Sequence, residues 1–319
     1  MSTPSSISIL PASGSKLPNI AFKWAAALAA AMIVVLIALV GWELYKGSRQ
    51  ALTSFGPGFL WSSEWDPVAE KYGALPFIFG TLVSSILALV IAVPLGVSTA
   101  LFLTELAPLK LRQPIIIAIE MLAAVPSVIF GLWGIFVLIP WLRDHLFLWL
   151  KHTLGFLPLF QGPIYGVSML AAGIIIAIMI LPIVTSISRE ILRSVPDLQR
   201  EAAYALGATR WEVLRISVLS YARRGLFGAA ILGLGRALGE TMAVTMVIGN
   251  RPQISASLFA PGYTLASVIA NEFTEATTDL YLSSLFELGL VLLAVTILVN
   301  VAAQIMLKSM VGSGSSKVA

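Results

Sequence analysis

Long uncharged stretches constrain this chain more than any other feature of its sequence. Nineteen consecutive residues from Trp24 to Trp42 carry no charge, close to the ~20 that a helix needs to cross a bilayer. Hydrophobic residues make up 58% of the chain and charged residues 11%, whereas soluble domains are about half apolar and about a quarter charged. We therefore expect an all-α integral membrane protein with several spanning helices.

Six apolar segments are long enough to be transmembrane helices. A signal peptide would explain the first one, but its apolar core should be only ~7–15 residues long, which favours an uncleaved helix at 21–44. We predict spans at 21–44, about 72–104, 114–139, 164–187, 225–249 and 282–307. Residues 45–71 are predicted to form an extramembrane loop, 72–308 the membrane core, and 141–163 an interfacial loop. The Ser/Pro-rich residues 1–20 and residues 309–319 are predicted to be cytoplasmic tails.

Lysine and arginine residues are distributed unequally between the two sides of this topology. An even number of spans puts both termini on one side, and that side carries thirteen Lys and Arg residues against six on the other. Loops rich in Lys and Arg stay in the cytoplasm. The charge distribution thus predicts a multi-pass protein of the cell inner (cytoplasmic) membrane with both termini cytoplasmic.

One segment between two predicted spans, 188–224, is strongly charged. It contains four acids and seven arginines, which are Arg189, Arg193, Arg200, Arg210, Arg215, Arg223 and Arg224. Ser194 to Asp197 is typical of a helix start with a hydroxyl cap, Gly207 of a helix end, and Thr209 to Glu212 of a second capped start. The pattern predicts a helix, a glycine turn and a second helix. A simple hairpin is the alternative, whereas a DNA-binding helix-turn-helix is disfavoured because the bilayer tethers both ends; we expect no nucleic-acid partner.

Two charged residues lie inside the fifth predicted span. Arg236 is eleven residues beyond Gly225, roughly 16 Å along a helix, so it should lie near the middle of the membrane. An arginine there costs ~2.5–3.5 kcal/mol on insertion scales and must face protein or water. Glu240 is one turn further on the same face. Two interpretations stay open: an internal ion pair, or an anion pathway lined by Arg236 and tuned by Glu240.

A third charged residue inside a predicted span is Glu120. We expect it to be a buried structural partner of a backbone group or of an arginine on a neighbouring helix.

Several function classes are disfavoured by what the sequence lacks. There are no cysteines and only two histidines, so we expect no metal site and no cofactor. No phosphate-binding P-loop is present, since GSGSSK (312–317) has no glycine before the lysine; ATP should be bound by a partner. No Ser/His or HExxH constellation lies within a span, which argues against an intramembrane enzyme. The remaining candidates are a subunit driven by a separate ATPase and an ion-coupled secondary transporter.

The string EAAYALG (201–207) resembles the EAA loop of permease subunits of binding-protein-dependent ABC importers. The match comprises Glu201, Ala202, Ala203, Gly207 and, further on, Leu219. The chain departs from that pattern at positions 217 and 220, where serine replaces the usual isoleucine and proline. The resemblance implies that the first helix of the charged segment docks in a groove on a cytoplasmic ATPase subunit.

Five further strings resemble the PstC family of permeases from phosphate ABC importers. They are FLTELAP (102–108), AIEMLAAVPSVIFG (118–131), LAAGIIIAIMILP (170–182), GLGRALGETMAV (233–244) and SASLFAPG (255–262). This resemblance implies the MetI-like permease fold of type I importers and a requirement for Arg236 and Glu240 in phosphate translocation. It also implies a PstA-like permease, a pair of PstB-like ATPases and a periplasmic phosphate-binding protein as partners. Transport of another oxyanion is the alternative.

Overall fold

The computed structural model describes residues 16–312 of the chain, which form helices joined by loops. The helices are α1 (Lys16–Gly47), α2 (Arg49–Phe55), α3 (Gly58–Trp61), α4 (Leu75–Leu101), α5 (Leu109–Ala124), α6 (Ser127–Trp133), α7 (Ile139–Trp141), α8 (Leu148–Leu154), α9 (Met169–Arg193), α10 (Asp197–Ala205), α11 (Arg210–Glu212), α12 (Ser220–Leu238), α13 (Met242–Val247), α14 (Leu265–Glu272) and α15 (Asp279–Gly312). π-helical turns at Phe102–Leu106, Gly134–Leu138, Leu142–Phe147 and Val213–Leu219 extend or join neighbouring helices.

Within residues 16–312, five helices are long and apolar enough to cross a membrane. They are Ile20–Gly47, Leu75–Leu106, Ser127–Leu154, Met169–Arg193 and Asp279–Ser309. The remaining predicted span, 225–249, is divided between α12 and α13.

The α12–α13 segment nevertheless runs the whole length of α9 in the opposite direction. A Cβ atom at Gly225 would lie 2.6 Å from Ile191, near the end of α9, and one at Gly233 would lie 3.0 Å from Val184. At the other end, the amide of Ser168 donates to the carbonyl of Val247 over 3.1 Å. Because α12–α13 covers the same thickness as α9, it is the sixth crossing.

Small residues allow α4 and α9 to pack closely at the centre of the bundle. A Cβ at Gly173 would lie 2.8 Å from the Cβ of Leu87, and one at Gly96 would lie 2.9 Å from Val184. Ala88 and Ala92 are fully buried in the same core. Small residues are the usual means of close helix approach in membranes, where water does not drive association. The two helices run parallel, and α12 packs across both.

The bundle has two distinct faces. Gly47 at the end of α1 packs on Phe286 near the start of α15, and Ser283 donates to the carbonyl of Gly47 over 2.7 Å. These helices are therefore antiparallel, and their outer ends at Lys16 and Gly312 lie on one face together with α10 and the ends of α4 and α9. We call this the terminal face. The distal face carries α2, α3, α14 and the loops at 155–168 and 248–264.

The third crossing differs from its prediction. The span predicted at 114–139 is interrupted at Val125 and Pro126, whose ψ angles of 128° and 143° are extended. Proline has no amide hydrogen and disfavours helix in the residue before it, which explains the break. Residues 141–154 lie in the loop predicted at 141–163 but are helical, and Arg143 pairs there with Asp144 at 2.8 Å.

The two ends of the chain also differ from their prediction in the part that the structure describes. α1 begins at Lys16 and ends at Gly47, so it is longer than the predicted 21–44. Residues 16–20 and 309–312 were predicted as tail but are helical, whereas 1–15 and 313–319 lie outside the described residues. The predicted loop at 45–71 contains α2 and α3.

A larger residue at Gly173 should separate α4 from α9. The substitution Gly173→Val is expected to destabilise the chain by ~1–3 kcal/mol, the usual cost of overpacking a core. Thermal unfolding of the detergent-purified chain measures the effect. Gly228→Val is the matched control, because a Cβ there would meet no described atom within 4 Å; equal midpoints for the two variants would contradict the packing described here.

Candidate functional site

Arg236 and Glu240 form an ion pair where the sixth crossing is interrupted. Arg236 lies in the last turn of α12, and Glu240 lies just beyond the end of that helix. Their Nη2 and Oε2 atoms are 3.6 Å apart. The Glu240 side chain is 5% exposed, whereas that of Arg236 is 50% exposed. The pair thus joins a buried carboxylate to a guanidinium that is open on one side.

The helix break explains the position of Glu240. α12 ends at Leu238, the chain turns through Gly239, and α13 begins at Met242. The Glu240 Oε1 atom accepts a hydrogen bond from the amide of Ala243 over 3.4 Å, so the carboxylate also caps the first turn of α13. In many transporters, interrupted membrane helices of this kind form the substrate site.

Contacts with α9 fix the depth of the pair in the bundle. A Cβ at Gly233 would contact Val184 and Ile180, and both residues lie near the middle of α9. Arg236 is one turn beyond Gly233, so it lies beside the centre of a helix that crosses the bilayer. This agrees with the depth expected from the sequence.

The face of α12 next to Arg236 is uncovered in the single chain. Cβ atoms at Gly228 and Gly235 would meet nothing within 4 Å among the described residues, and Leu232 is 58% exposed. These positions and Gly239 lie on the same side of the helix as Arg236. The space beside the guanidinium is therefore bounded by this chain on one side only.

The charged segment forms an arm that projects from the terminal face. α10 carries Glu201, Ala202 and Ala203, of which Glu201 and Ala202 are exposed. Gly207 follows with φ +82°, a left-handed conformation that favours glycine. Leu198 and Leu206 are 73% and 90% exposed. Exposed apolar side chains on a polar arm indicate a docking surface.

A helix begins at each of the two predicted starts in this arm, but the hydroxyl cap predicted for the first is wrong. Thr209 and Glu212 form a complete capping box, and the hydrogen bonds from the amide and hydroxyl of Thr209 lower the pKa of Glu212. Ser194 instead closes the end of α9 by donating to Ile191, and Pro196 occupies the cap position of α10. Pro196 fixes an extended residue there, so no hydroxyl cap forms.

Arg200 attaches the arm to the bundle, a role that no sequence pattern indicated. Its Nη2 donates to Glu105 Oε1 over 2.8 Å and to the carbonyl of Leu192 over 3.2 Å, and its Nη1 donates to the carbonyl of Val195 over 2.6 Å. Both side chains of the ion pair are less than 20% exposed. Arg210 donates to the carbonyl of Glu105 as well. The start of the arm is therefore clamped to the terminal end of the α4 crossing.

Glu120 differs in part from its prediction. It lies 3.7 Å from Arg189 of α9, which agrees with the expected arginine partner on a neighbouring helix. It was expected to be buried, but its side chain is 57% exposed, because α5 lies at the edge of the bundle. A structural role is consistent with this position.

Comparison with known proteins identifies the class of this chain. Residues 92–311 match the family model for the binding-protein-dependent transport system inner membrane component, so the chain belongs to this family of transport permeases and is not an enzyme. The inward-facing MetNI methionine ABC transporter has a similar fold, with a TM-score of 0.51 at 18% identity over 79% of this chain and 98% of that one.

Three similar curated proteins are permeases of the same kind. The chain is 51% identical to the phosphate transport system permease protein PstC of Mesorhizobium japonicum, over 88% of this chain and 86% of that protein. It is 51% identical to PstC of Xylella fastidiosa, over 88% of each chain. With PstC of Haemophilus influenzae the identity is 47%, over 91% of this chain and 93% of that one.

Loss of the Arg200–Glu105 pair should loosen the arm. In Arg200→Gln, we expect amide hydrogen exchange of residues 197–205 to rise about tenfold, equivalent to ~1.4 kcal/mol, because a hydrogen bond to a charged group contributes ~1.5–3 kcal/mol. Arg215→Gln removes the same charge from an exposed position and should leave that exchange unchanged. Unaltered exchange in Arg200→Gln would show that other contacts hold the arm.

Proposed function

We propose that this chain is the permease subunit of an ATP-driven importer that carries inorganic phosphate across the cytoplasmic membrane. The observation that carries the proposal is the half-exposed guanidinium of Arg236 at mid-membrane, beside the buried Glu240. The names of the relatives, phosphate transport system permease proteins, support phosphate as the substrate.

The chemistry of the pair suits passage of an oxyanion. Phosphate carries one to two negative charges near neutral pH, and a guanidinium offers it a fixed positive charge and bidentate donors. A strong charge-assisted bond is about 2.7–2.9 Å long, whereas Arg236 and Glu240 are 3.6 Å apart, so Arg236 keeps donors available. Glu240 offsets part of the positive charge, which weakens anion binding enough for release.

The uncovered face of α12 supports a second permease subunit. A PstA-like permease beside Gly228 and Gly235 would complete the pathway that this chain bounds on one side. The excess of Lys and Arg near the terminal face argues that this face is cytoplasmic, with both termini inside. A periplasmic phosphate-binding protein would then deliver its anion at the distal face.

Two PstB-like ATPases would bind ATP and drive the cycle, so this chain needs no cofactor of its own. α10, with Glu201, Ala202 and Ala203, would dock on one of them. When the ATPases close, their movement would pass through Arg200 and Glu105 to α4. Because α4, α9 and α12 are tightly packed, α4 would carry α12 and Arg236 with it, as in rigid-body alternating access.

Removal of the guanidinium tests the substrate pathway. Arg236→Gln is expected to reduce phosphate uptake into vesicles containing the assembled complex at least about tenfold, because one desolvated charge-assisted contact is worth ~1.5–3 kcal/mol. Arg193→Gln is the control, since it removes an exposed arginine from the terminal face. Uptake at the unmodified rate by Arg236→Gln would remove this residue from the pathway, and selective loss of another oxyanion would reassign the substrate.

Changes to the arm test the coupling to ATP. Glu201→Lys or Gly207→Trp should leave membrane insertion intact but lower the phosphate moved per ATP hydrolysed, because the first alters the docking surface and the second disfavours the left-handed turn. Ser220→Ala, at an exposed position of α12, is the control. Full uptake by both arm variants would refute the docking role. Uptake that follows the proton gradient rather than ATP would favour a secondary transporter instead.

A further inference from the structure

Glu287 of α15 is a buried acid that has no part in the pathway or the arm. Only 3% of the residue is exposed, and its Oε2 atom has no hydrogen-bond partner among residues 16–312. A polar atom in apolar surroundings is unfavourable unless a donor or acceptor meets it. An ionisable residue inside a membrane helix is for this reason a candidate binding site.

The Glu287 side chain lines a groove of about 410 Å³ between α15 and the short helices α2 and α3. The other lining residues are Leu52, Gly56, Pro57, Leu60, Leu290, Val291 and Ala294. Of these eight residues, Glu287 alone has a polar side chain. The groove is therefore apolar and has a single acceptor group. Such a groove suits an amphiphile that places one alkyl chain in it and carries a hydrogen-bond donor on its headgroup.

The depth of Glu287 agrees with such a ligand. Lys308 follows 21 residues later on the same helix, a rise of about 31 Å, and the hydrocarbon core of a bilayer is about 30 Å thick. Near Glu287, Leu44 of α1 packs on Gly289, and the ion pair Glu43–Lys46 flanks Leu44. If Lys308 marks one boundary of the hydrocarbon, Glu287 lies at the other, where phospholipid headgroups begin.

We propose that this groove binds a phospholipid with a primary ammonium headgroup, phosphatidylethanolamine. The ammonium group carries a positive charge and three N–H donors, and a carboxylate is an acceptor with the opposite charge. The ammonium group donates to Glu287, and one acyl chain lies along Leu290, Val291 and Ala294. A phospholipid bound there fills the seam between α15 and the two short helices of the distal face.

Phosphatidylcholine is the decisive comparison, because it has the same net charge and acyl chains but no N–H donor. The assembled transporter is purified, exchanged into equal amounts of the two lipids, and the lipids that remain bound are counted by native mass spectrometry. We expect a preference for phosphatidylethanolamine of at least about tenfold, the ratio that one charge-assisted hydrogen bond supports. Equal retention of the two lipids would overturn the proposal. So would the finding that another protein chain of the transporter covers the groove.

Three variants separate the carboxyl group from general effects on the membrane surface. Glu287→Leu should reduce the preference to near unity, and Leu290→Trp, which fills the groove but keeps the acid, should reduce retention of both lipids. Glu43→Leu is the matched control: it removes an exposed acid at the same depth on α1 and should retain the full preference. If Glu287→Leu does not fold, Leu290→Trp decides alone. A preference that survives in Glu287→Leu, retention of both lipids that is undiminished in Leu290→Trp, or a preference that falls equally in Glu43→Leu would refute the site.

Discussion

A guanidinium at the centre of a membrane bundle needs a counter-charge or water, and Glu240 supplies the counter-charge to Arg236. Its carboxylate partner is buried and held by the amide of Ala243, while half of the arginine side chain faces open space. This arrangement depends on the break between α12 and α13, because a continuous helix would not turn Glu240 towards the first turn of α13. Close packing through the small residues of α4, α9 and α12 holds the helices on which the break lies.

The same packing connects the charge pair to the arm at the terminal face. Arg200 fastens the arm to Glu105, at the end of the α4 crossing, and α4 contacts both α9 and α12 along closely approaching glycines. A force on α10 therefore meets a rigid group of helices rather than a flexible loop. In the proposed importer, this rigidity allows an ATPase outside the membrane to alter the surroundings of Arg236 without contacting them.

Local patterns predicted much of this architecture. The capping box at Thr209 and Glu212, the left-handed turn at Gly207 and the pairing of Arg236 with Glu240 all arise between residues at most four positions apart, so the sequence alone specifies them. The Arg200–Glu105 clamp joins residues 95 positions apart, and the groove at Glu287 forms between α15 and helices near the start of the chain. Such contacts depend on the final packing, which single-residue patterns do not encode. The break at Pro126 is a local effect of proline on its own residue and the one before it, so it too was accessible from the sequence.

In the proposed importer, the Arg236 face of α12 lines an aqueous path for phosphate. The chain has no cysteine, so Gly235→Cys places a single thiol on that face at a position where a Cβ meets no described atom. The rate at which a charged, water-soluble thiol reagent labels this cysteine in the assembled transporter tests the claim. The reagent should label this cysteine, and phosphate should slow the labelling. In Arg236→Gln, phosphate should no longer slow it. Absence of labelling throughout the transport cycle, or labelling that phosphate does not affect, would contradict it.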